Sequence, residues 1–261
     1  MVFSDFHFYS EVLGIQTAAY VLMPDEQLLR QSKQPVPVLY LLHGLSDDHT
    51  MWMRQTCIEQ IAKDYRVCIV MPAVNRSFYM DMAHGAKYDT FIAEELPRII
   101  ETYFPVGKKR EHRFAAGLSM GGYGAMKLGL TRPGRYAAVA SLSGALAMEK
   151  VFTREDLKGS SYLKEMENIY GDEKSLLSGK GNLSKLAEKL MKTPEKAPKM
   201  YVACGTEDYL FLANESFIDR FGKAFGIDYF TEPGVHSWRF WNKHIELVLA
   251  WLPLEKRKIE G

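Results

Sequence analysis

The sequence contains no long hydrophobic run, little cysteine and almost no excess of charge of either sign. No apolar stretch approaches the roughly 20 residues that a membrane-spanning helix needs. The 33 basic and 32 acidic residues give a formal charge of +1, so electrostatics provide no reason to expect nucleic acid or an anionic membrane as a partner. The N-terminus lacks the basic region and apolar run of a signal peptide, and we therefore expect a cytoplasmic protein.

The three cysteines are odd in number and too few to staple a fold with disulfides. Cys68 and Cys204 lie in apolar runs that are typical of strands, and buried free thiols fit a reducing compartment; the third cysteine is Cys57. None of the spacings matches a zinc site. His84 and Asp81 could supply two metal ligands, but no third ligand lies at a useful spacing, so we expect no metal.

Repeats and low-complexity linkers are absent too, and strand-like apolar runs alternate with helical patterns instead. The runs typical of strands cover residues 2–10, 14–23, 36–42, 67–71, 113–118, 136–142, 200–204 and 227–232. Helical spacing covers residues 53–63, 88–104, 120–130, 210–224 and 238–252. Pro97 should kink or interrupt the second of these helices. The alternation predicts a mostly parallel central sheet with helices on both faces, which is the α/β class.

One segment, at about 145–198, breaks this alternation. It is polar and biased towards helix, and it contains no clear strand. It is either a surface excursion or a small cap over an active site, because long insertions in α/β proteins often serve as lids or binding loops. We expect a single domain over residues 1–261 that carries this cap or insertion.

The segment Gly117-Leu118-Ser119-Met120-Gly121 matches the G-x-S-x-G pattern of a nucleophile elbow. In such an elbow the serine sits on a sharp turn between a strand and a helix, where flanking glycines avoid collisions and the helix N-terminus is close to the hydroxyl. A predicted strand precedes Ser119 and a helix rich in small residues follows it. Ser143 also ends a predicted strand, but it lacks a glycine two residues before it and a clear helix directly after it.

A serine hydroxyl needs a base to remove its proton, and the base comes after the acid in chain order in this kind of site. Only His236 and His244 follow Ser119 among the seven histidines. His236 lies in a loop just beyond the last predicted strand, whereas His244 falls inside the final helix. We therefore predict that His236 is the base, the alternative being a histidine that caps the last helix.

The acid should follow a strand that lies between the serine and the histidine in the chain. Residues 200–204 form that strand, and the turn Gly205-Thr206-Glu207-Asp208 follows it. Asp208 or Glu207 could hold the imidazole in the correct tautomer, and Gly-x-x-Asp favours Asp208. Asp208 could instead cap the next helix or close an Asx turn.

A buried strand that ends in His43-Gly44-Leu45 predicts an oxyanion hole. The backbone N–H groups of Leu45 and Met120 can donate to the charged oxygen of a tetrahedral intermediate. We expect His43 to support this loop rather than take part in the chemistry.

Three aromatic residues follow the first strands of the sheet on the side where ligands bind in such folds. Trp52, Phe78 and Tyr79 could wall a small acyl pocket, although each could equally belong to the core. A small pocket gains roughly 0.8 kcal/mol per buried methylene until it is full and then rejects longer chains.

Four motifs resemble the esterase D family of α/β hydrolases: Leu41-Leu42-His43-Gly44, Gly117 to Ala125, Ser141 to Ala145, and Gly234 to Trp238. The likeness is closest to the bacterial tributyrin esterases and runs from Phe8 to Pro253. It implies the α/β-hydrolase fold and a serine carboxylesterase that hydrolyses short-chain acyl esters of small molecules through an acyl-enzyme, without a cofactor. The family's triad falls on Ser119, Asp208 and His236, and its oxyanion donors fall on Leu45 and Met120.

Other activities share the same triad and oxyanion hole. The alternatives are a thioester hydrolase of the S-formylglutathione type, an acyltransferase, and a feruloyl or acetylxylan esterase. S-formylglutathione hydrolases usually carry a different loop in place of residues 43–45, which counts against that member. A non-catalytic binding protein on the same fold should have lost a triad member, whereas all three positions are filled here in the expected order.

Overall fold

A computed structural model describes residues 1–149, 154–179 and 181–258, and one large sheet forms its centre. The strands are β1 (Val2–Ser10), β2 (Ile15–Met23), β3 (Val38–Leu42), β4 (Cys68–Pro72), β5 (Arg113–Leu118), β6 (Ala138–Leu142), β7 (Lys199–Gly205) and β8 (Asp228–Glu232). Their order across the sheet is β1-β2-β4-β3-β5-β6-β7-β8. The pairs β1–β2 and β2–β4 are antiparallel, and every later neighbour is parallel. The predicted mostly parallel sheet is therefore correct.

Burial along the strands follows from their place in the sheet. Every residue of β3, β4, β5 and β6 is buried, because helices cover both faces there, and these strands read as continuous apolar runs. The edge strand β1 alternates between exposed and partly buried residues. The carboxyl ends of β3, β5, β6 and β7 lie side by side, so the loops that follow these strands meet at one edge.

Eleven α-helices occur in the described residues and surround the sheet. They are α1 (Glu26–Arg30), α2 (Met51–Gln55), α3 (Ile58–Ala62), α4 (Tyr88–Thr90), α5 (Leu96–Tyr103), α6 (Met120–Thr131), α7 (Ser161–Tyr170), α8 (Glu173–Ser178), α9 (Leu183–Leu190), α10 (Phe211–Phe225) and α11 (Trp238–Trp251). Side chains of α2, α3 and α11 build the core on one face of the sheet. Side chains of α5, α6, α9 and α10 build the core on the other face. No helix in the described part of the chain is long and apolar enough to cross a membrane.

Two predicted helices differ from the observed ones. The helix expected over 53–63 is two short helices, α2 and α3, because the chain turns extended at Thr56 and the N–H of Cys57 donates to Asn242 Oδ1 at 2.8 Å. The helix expected over 88–104 is α4, a π-helical turn (Phe91–Glu95) and α5. Pro97 lies just after this π-helical turn, inside a continuous helical stretch where its missing N–H removes a hydrogen bond, so the predicted interruption lies at the proline.

The segment between β6 and β7 contains α7, α8 and α9 and, among its described residues, no strand. A side-chain oxygen caps each helix at its start: Ser160 accepts from Leu163 N, Asp172 from Ser175 N, and Asn182 from Lys185 N. Residues 150–153 and 180 of the expected cap lie outside the described residues. Tyr162 of α7 shares a cavity with Ser119, so α7 lies over the edge where the strands' carboxyl ends meet, whereas α9 packs against α6.

Candidate active site

Ser119 sits on a sharp turn between β5 and α6, with φ 52° and ψ −117°. Such a positive φ is rare for a residue with a side chain and marks a site where the surroundings fix the backbone. The flanking glycines are needed on steric grounds. A Cβ on Gly121 would lie 2.3 Å from the carbonyl oxygen of Leu42, and a Cβ on Gly117 would lie 2.4 Å from Gly121. The turn leaves Ser119 partly exposed while its neighbours are buried.

His236 and Asp208 form a hydrogen-bonded pair in the loops that follow β8 and β7. His236 Nδ1 lies 2.9 Å from Asp208 Oδ2 and 3.1 Å from Oδ1. The Asp208 side chain is buried, and Oδ1 also accepts from Leu210 N at 2.8 Å. Burial raises the pKa of the Asp208 carboxyl, but its hydrogen bonds to His236 and to the backbone outweigh burial and hold the pKa below the ordinary value. Asp208 is therefore ionised at neutral pH and fixes the Nδ1–H tautomer of His236.

The rival acid and base occupy structural positions. Glu207 is exposed, and its carboxylate accepts from the N–H of Gly234 rather than from an imidazole. His244 is buried inside α11, where Nδ1 lies 3.2 Å from the hydroxyl of Tyr201 and Nε2 lies 3.1 Å from Glu232. The structure brings Ser119, Asp208 and His236 to one edge of the sheet and keeps these two rivals apart from that group.

Two backbone N–H groups point to an oxyanion hole beside Ser119. Leu42 pairs with Gly117 across β3 and β5, so the loop after β3 lies next to the serine turn. Leu45 lines the same cavity as Ser119, and Met120 is the first residue of α6. The N–H groups of Leu45 and Met120 have no acceptor among the described residues. Both are therefore free to donate to an oxygen that becomes negatively charged.

His43 is a neutral imidazole that holds the loop after β3 (residues 43–45), which we call the oxyanion loop. Its Nε2 accepts from the N–H of Val74 at 3.2 Å, so its proton is on Nδ1, which donates to the carbonyl of Gly44 at 2.7 Å. Burial lowers the pKa of His43 to about 4, because the charged form would be poorly solvated. The sequence correctly predicted a supporting role for this histidine.

Two of the three aromatic residues predicted for the acyl pocket are part of the core instead. Trp52 is fully buried against the helices on its face of the sheet, and its Nε1 donates to the carbonyl of Leu42 at 3.0 Å. Tyr79 is buried under α6, and its hydroxyl donates to the carbonyl of His43 at 2.9 Å. Both therefore fix the end of β3 rather than contact substrate, a role that depends on tertiary contacts. Phe78 does line the cavity that contains Ser119.

A cavity of about 420 Å³ opens onto Ser119. Most of its lining is apolar, with several small side chains, and residues of the segment between β6 and β7 contribute to it. The lining residues are Leu45, Phe78, Ser119, Ala145, Ala147, Met148, Arg154, Tyr162, Tyr209, Leu210, Leu212 and Ala213.

Tyr209, which no sequence motif indicated, lies against His236. Its ring centroid is 4.5 Å from that of His236. Burial and the charge of Asp208 raise the pKa of the Tyr209 phenol, and an interaction with the hydroxyl of Ser119 opposes them. No hydrogen bond joins Ser119 to His236 Nε2 among the described residues, and such bonds often tighten only when substrate binds. Its position next to Asp208 in the chain was the one available signal for Tyr209.

The arrangement has the parts that acyl transfer needs. These are a partly exposed hydroxyl on a strained turn, an imidazole oriented by an ionised carboxylate, two free N–H donors and a mostly apolar cavity. Nucleophilic attack by the serine on an acyl carbon, followed by attack of water on the acyl-enzyme, is the chemistry that such a site can perform.

Comparisons with known proteins agree with this chemistry. A family model described as "Putative esterase" matches residues 10–252. An acetyl esterase of Caldicellulosiruptor saccharolyticus is 30% identical over 262 residues, which is 97% of this chain and 98% of that protein. FphF, a fluorophosphonate-binding serine hydrolase of Staphylococcus aureus, superposes with a TM-score of 0.86 at 30% identity, covering 96% of this chain and 98% of that one. FrmB, an S-formylglutathione hydrolase of Staphylococcus aureus, does so with a TM-score of 0.84 at 30% identity and the same coverage.

These matches span nearly the whole chain, and they confirm the α/β-hydrolase fold and the esterase D-like resemblance predicted from the sequence. The chain therefore belongs to this esterase family, and it is a serine esterase, that is, a carboxylic ester hydrolase.

Proposed function

We propose that the chain hydrolyses short-chain acyl esters of small molecules, with Ser119 as nucleophile, His236 as base and Asp208 as the orienting acid. The observation that carries the proposal is the hydrogen bond of 2.9 Å between His236 Nδ1 and Asp208, made at the same sheet edge as the strained turn of Ser119. Leu45 and Met120 supply the two oxyanion donors. Each of these donors is expected to contribute about 10²–10³ in rate.

In the first step Ser119 Oγ attacks the acyl carbon and His236 takes the serine proton. The carbonyl oxygen becomes an oxyanion that accepts from the N–H groups of Leu45 and Met120. The tetrahedral intermediate then collapses, the bond to the alcohol breaks, and the imidazolium returns its proton to the departing alcohol. Water repeats the sequence on the acyl-enzyme and releases the acid. No step needs a metal or another cofactor.

The preference for short chains is supported by the size and lining of the cavity. Its volume of about 420 Å³ must hold both the acyl group and the alcohol. Large apolar and aromatic side chains, among them Phe78, Met148 and Tyr209, line the cavity together with three alanines. Each methylene adds roughly 0.8 kcal/mol until the space is full, after which a longer chain is excluded. We expect activity to be greatest between acetate and butyrate.

The helices between β6 and β7 are proposed to form a fixed cap rather than a lipase-type lid. Backbone hydrogen bonds tie α7 to the loop after β4, with Ala83 N donating to Ile169 O at 3.0 Å and His84 N to Asn168 O at 2.9 Å. Tyr123 on α6 donates to the carbonyl of Gly181 at 2.8 Å, next to the start of α9. A cap held in this way should need no lipid surface to open it.

The likeness to FrmB supports a second candidate, a thioester hydrolase of the S-formylglutathione type. Triad and oxyanion hole serve both reactions equally, so the substrate alone separates the two functions. The proposed location is the cytoplasm, where the exposed thiol of Cys57 and the buried thiols of Cys68 and Cys204 remain reduced.

The test is the kcat/KM of the purified chain on p-nitrophenyl esters from acetate to decanoate, with S-formylglutathione measured in parallel. We expect a maximum at acetate to butyrate, a steep fall beyond about six to eight carbons as the cavity fills, and no jump when the substrate forms droplets. A rate that rises towards decanoate would contradict the short-chain proposal and the fixed cap. A kcat/KM on S-formylglutathione far above that on every oxyester would establish the second candidate.

A further inference from the structure

Ser143 is a buried residue with an unusual backbone at the edge where the proposed triad assembles. It follows β6 directly and has φ 48°, in the left-handed region that a residue with a side chain seldom adopts. Its N–H donates to the carbonyl of Ala203 on β7 at 2.7 Å. Ser143 is fully buried and does not line the cavity around Ser119, so it cannot be the nucleophile. A strained, buried serine between the strands that carry Ser119 and Asp208 calls for another role.

The hydrogen bond between Trp241 and Ser143 has only one possible direction. Trp241 Nε1 lies 3.1 Å from Ser143 Oγ, and an indole nitrogen can only donate, so the serine oxygen accepts there. Ser143 is also among the groups that lower the pKa of Asp208, which fits its place between β5 and β7.

Trp241 also touches the base itself. Its ring stands edge-on to His236, with the centroids 4.8 Å apart and the planes at 86°. The indole is buried in the core that α11 forms with the sheet, so it is held in place by packing. One rigid side chain thus contacts the imidazole on one side and the serine hydroxyl on the other.

We propose that Ser143 is a positioning residue for the reaction, which accepts from Trp241 Nε1 and so holds the indole ring edge-on against the imidazole of His236. The proposal rests on the triad proposed above. In this arrangement Asp208 holds Nδ1 of His236, and Trp241 limits the movement of the ring. The N–H of Ser143 is committed to Ala203 on β7, which fixes the backbone that carries the hydroxyl.

The test compares Ser143→Ala and Ser143→Gly with the wild type. Both substitutions remove the hydroxyl, but glycine adopts the positive φ without strain, so the pair separates the loss of the hydrogen bond from any backbone effect. Ser141→Ala is the matched control. Ser141 lies two residues away, in β6, and its buried hydroxyl has no partner among the described residues.

We expect both Ser143 variants to lower kcat on p-nitrophenyl acetate by about three- to tenfold with little change in KM, the range expected for losing a neutral hydrogen bond. Ser141→Ala should keep the kcat of the wild type. The far-downfield proton NMR signal of the His236 Nδ1–H should shift in Ser143→Ala and remain in place in Ser141→Ala. A purely structural serine would not move that signal.

Trp241→Phe keeps an aromatic ring near His236 but removes the donor to Ser143, so kcat should fall by a similar factor. Trp251→Phe is its control, because Trp251 Nε1 donates to Asp228, which lies at the start of the edge strand β8. If Ser143→Ala and Ser143→Gly match Ser141→Ala in kcat and in the NMR signal, the proposal is overturned. Asp208→Asn tests the triad separately from the role of Ser143. If it is inactive while Ser143→Ala has the kcat of Ser141→Ala, only this inference fails; if it is active, the triad fails as well.

Discussion

Replacing Asp89 by asparagine tests how the helix behind Ser119 is held in place. Lys127 on α6 is 1% exposed, and its ammonium donates to the carbonyl of Tyr79 at 2.9 Å and to Asp89 Oδ1. Arg132 donates to Asp89 Oδ2 at 2.8 Å. Burial would raise the pKa of Asp89, but the two cations outweigh it and keep the pKa below its ordinary value. The carboxylate therefore neutralises a charge that water cannot reach.

Asp89→Asn leaves the Lys127 ammonium buried without a counter-charge. Breaking a buried ion pair from one side costs about 3–5 kcal/mol, and we expect this loss in the free energy of unfolding. Arg132 adds little to the loss, because it is partly exposed and also contacts Glu94. Because the folded-state pKa of Asp89 is lowered, its stabilisation is present above pH of about 4 and is lost as the pH falls through the folded-state value.

The assay is urea denaturation at pH 7, with the single variant Lys127→Met and the double variant Asp89→Asn/Lys127→Met as controls. Removing both charges should recover part of the loss, because no ion is then left alone in the core. A loss below about 1 kcal/mol for Asp89→Asn, which is the size of a surface pair, would refute the reasoning. So would a double variant in which the two single effects simply add.

Three further predictions concern the oxyanion loop, the serine turn and the cap. Burial lowers the pKa of His43 to about 4, whereas the unfolded chain protonates this residue at about pH 6.5. The free energy of unfolding should therefore decrease as the pH is lowered from about 6.5 to about 4, by up to about 1.4 kcal/mol per pH unit. Urea denaturation across this range should give a shallower slope for His43→Asn, and equal slopes would contradict the neutral tautomer. Gly121→Ala places a Cβ 2.3 Å from the carbonyl oxygen of Leu42, so it should lower kcat and reduce the free energy of unfolding by about 1–3 kcal/mol. Gly134 has open space around it, so Gly134→Ala should leave activity and the thermal melt unchanged. Glu165→Gln weakens the bidentate ion pair with Arg76, whose guanidinium also donates to the carbonyl of Leu45 at 3.3 Å. Because the pair is partly exposed, kcat/KM should fall by at most about fivefold. A hundredfold loss would mean that this contact controls the oxyanion loop far more strongly than its exposure allows.

Much of the fold could be predicted from the sequence because its signals are local. The buried strands read as short apolar runs, and the alternation with helices implies a parallel sheet. The turn at Ser119 was predictable for the same reason, since steric crowding demands glycine at fixed positions on either side. Chain order left His236 and His244 as candidates for the base, and the loop position of His236 after the last strand then favoured it.

The parts that could not be predicted depend on tertiary contacts. Trp52 and Tyr79 follow strands at the ligand-binding edge, yet each turns into the core, where it donates to a backbone carbonyl at the end of β3 or in the loop that follows. Periodicity cannot distinguish these two orientations of an aromatic ring. The break at Thr56 between α2 and α3 is similar, because it depends on a contact with Asn242, far away in the sequence.

Ser143 was visible in the sequence only as a weaker second nucleophile. Its burial, its positive φ and its hydrogen bond from Trp241 become apparent once β6 lies between β5 and β7. Tyr209 was overlooked although it follows Asp208 directly, because nothing in the sequence says that its ring lies against His236.

The central claim is that Ser119 forms the acyl-enzyme, and covalent labelling tests it most directly. The purified chain is treated with a fluorophosphonate, digested, and searched by mass spectrometry for the modified residue, with Ser119→Ala treated in parallel. We predict labelling of Ser119 alone, together with loss of both labelling and esterase activity in the variant. Undiminished labelling of Ser119→Ala, or a label found on another serine of the wild type, would contradict the assignment of the nucleophile.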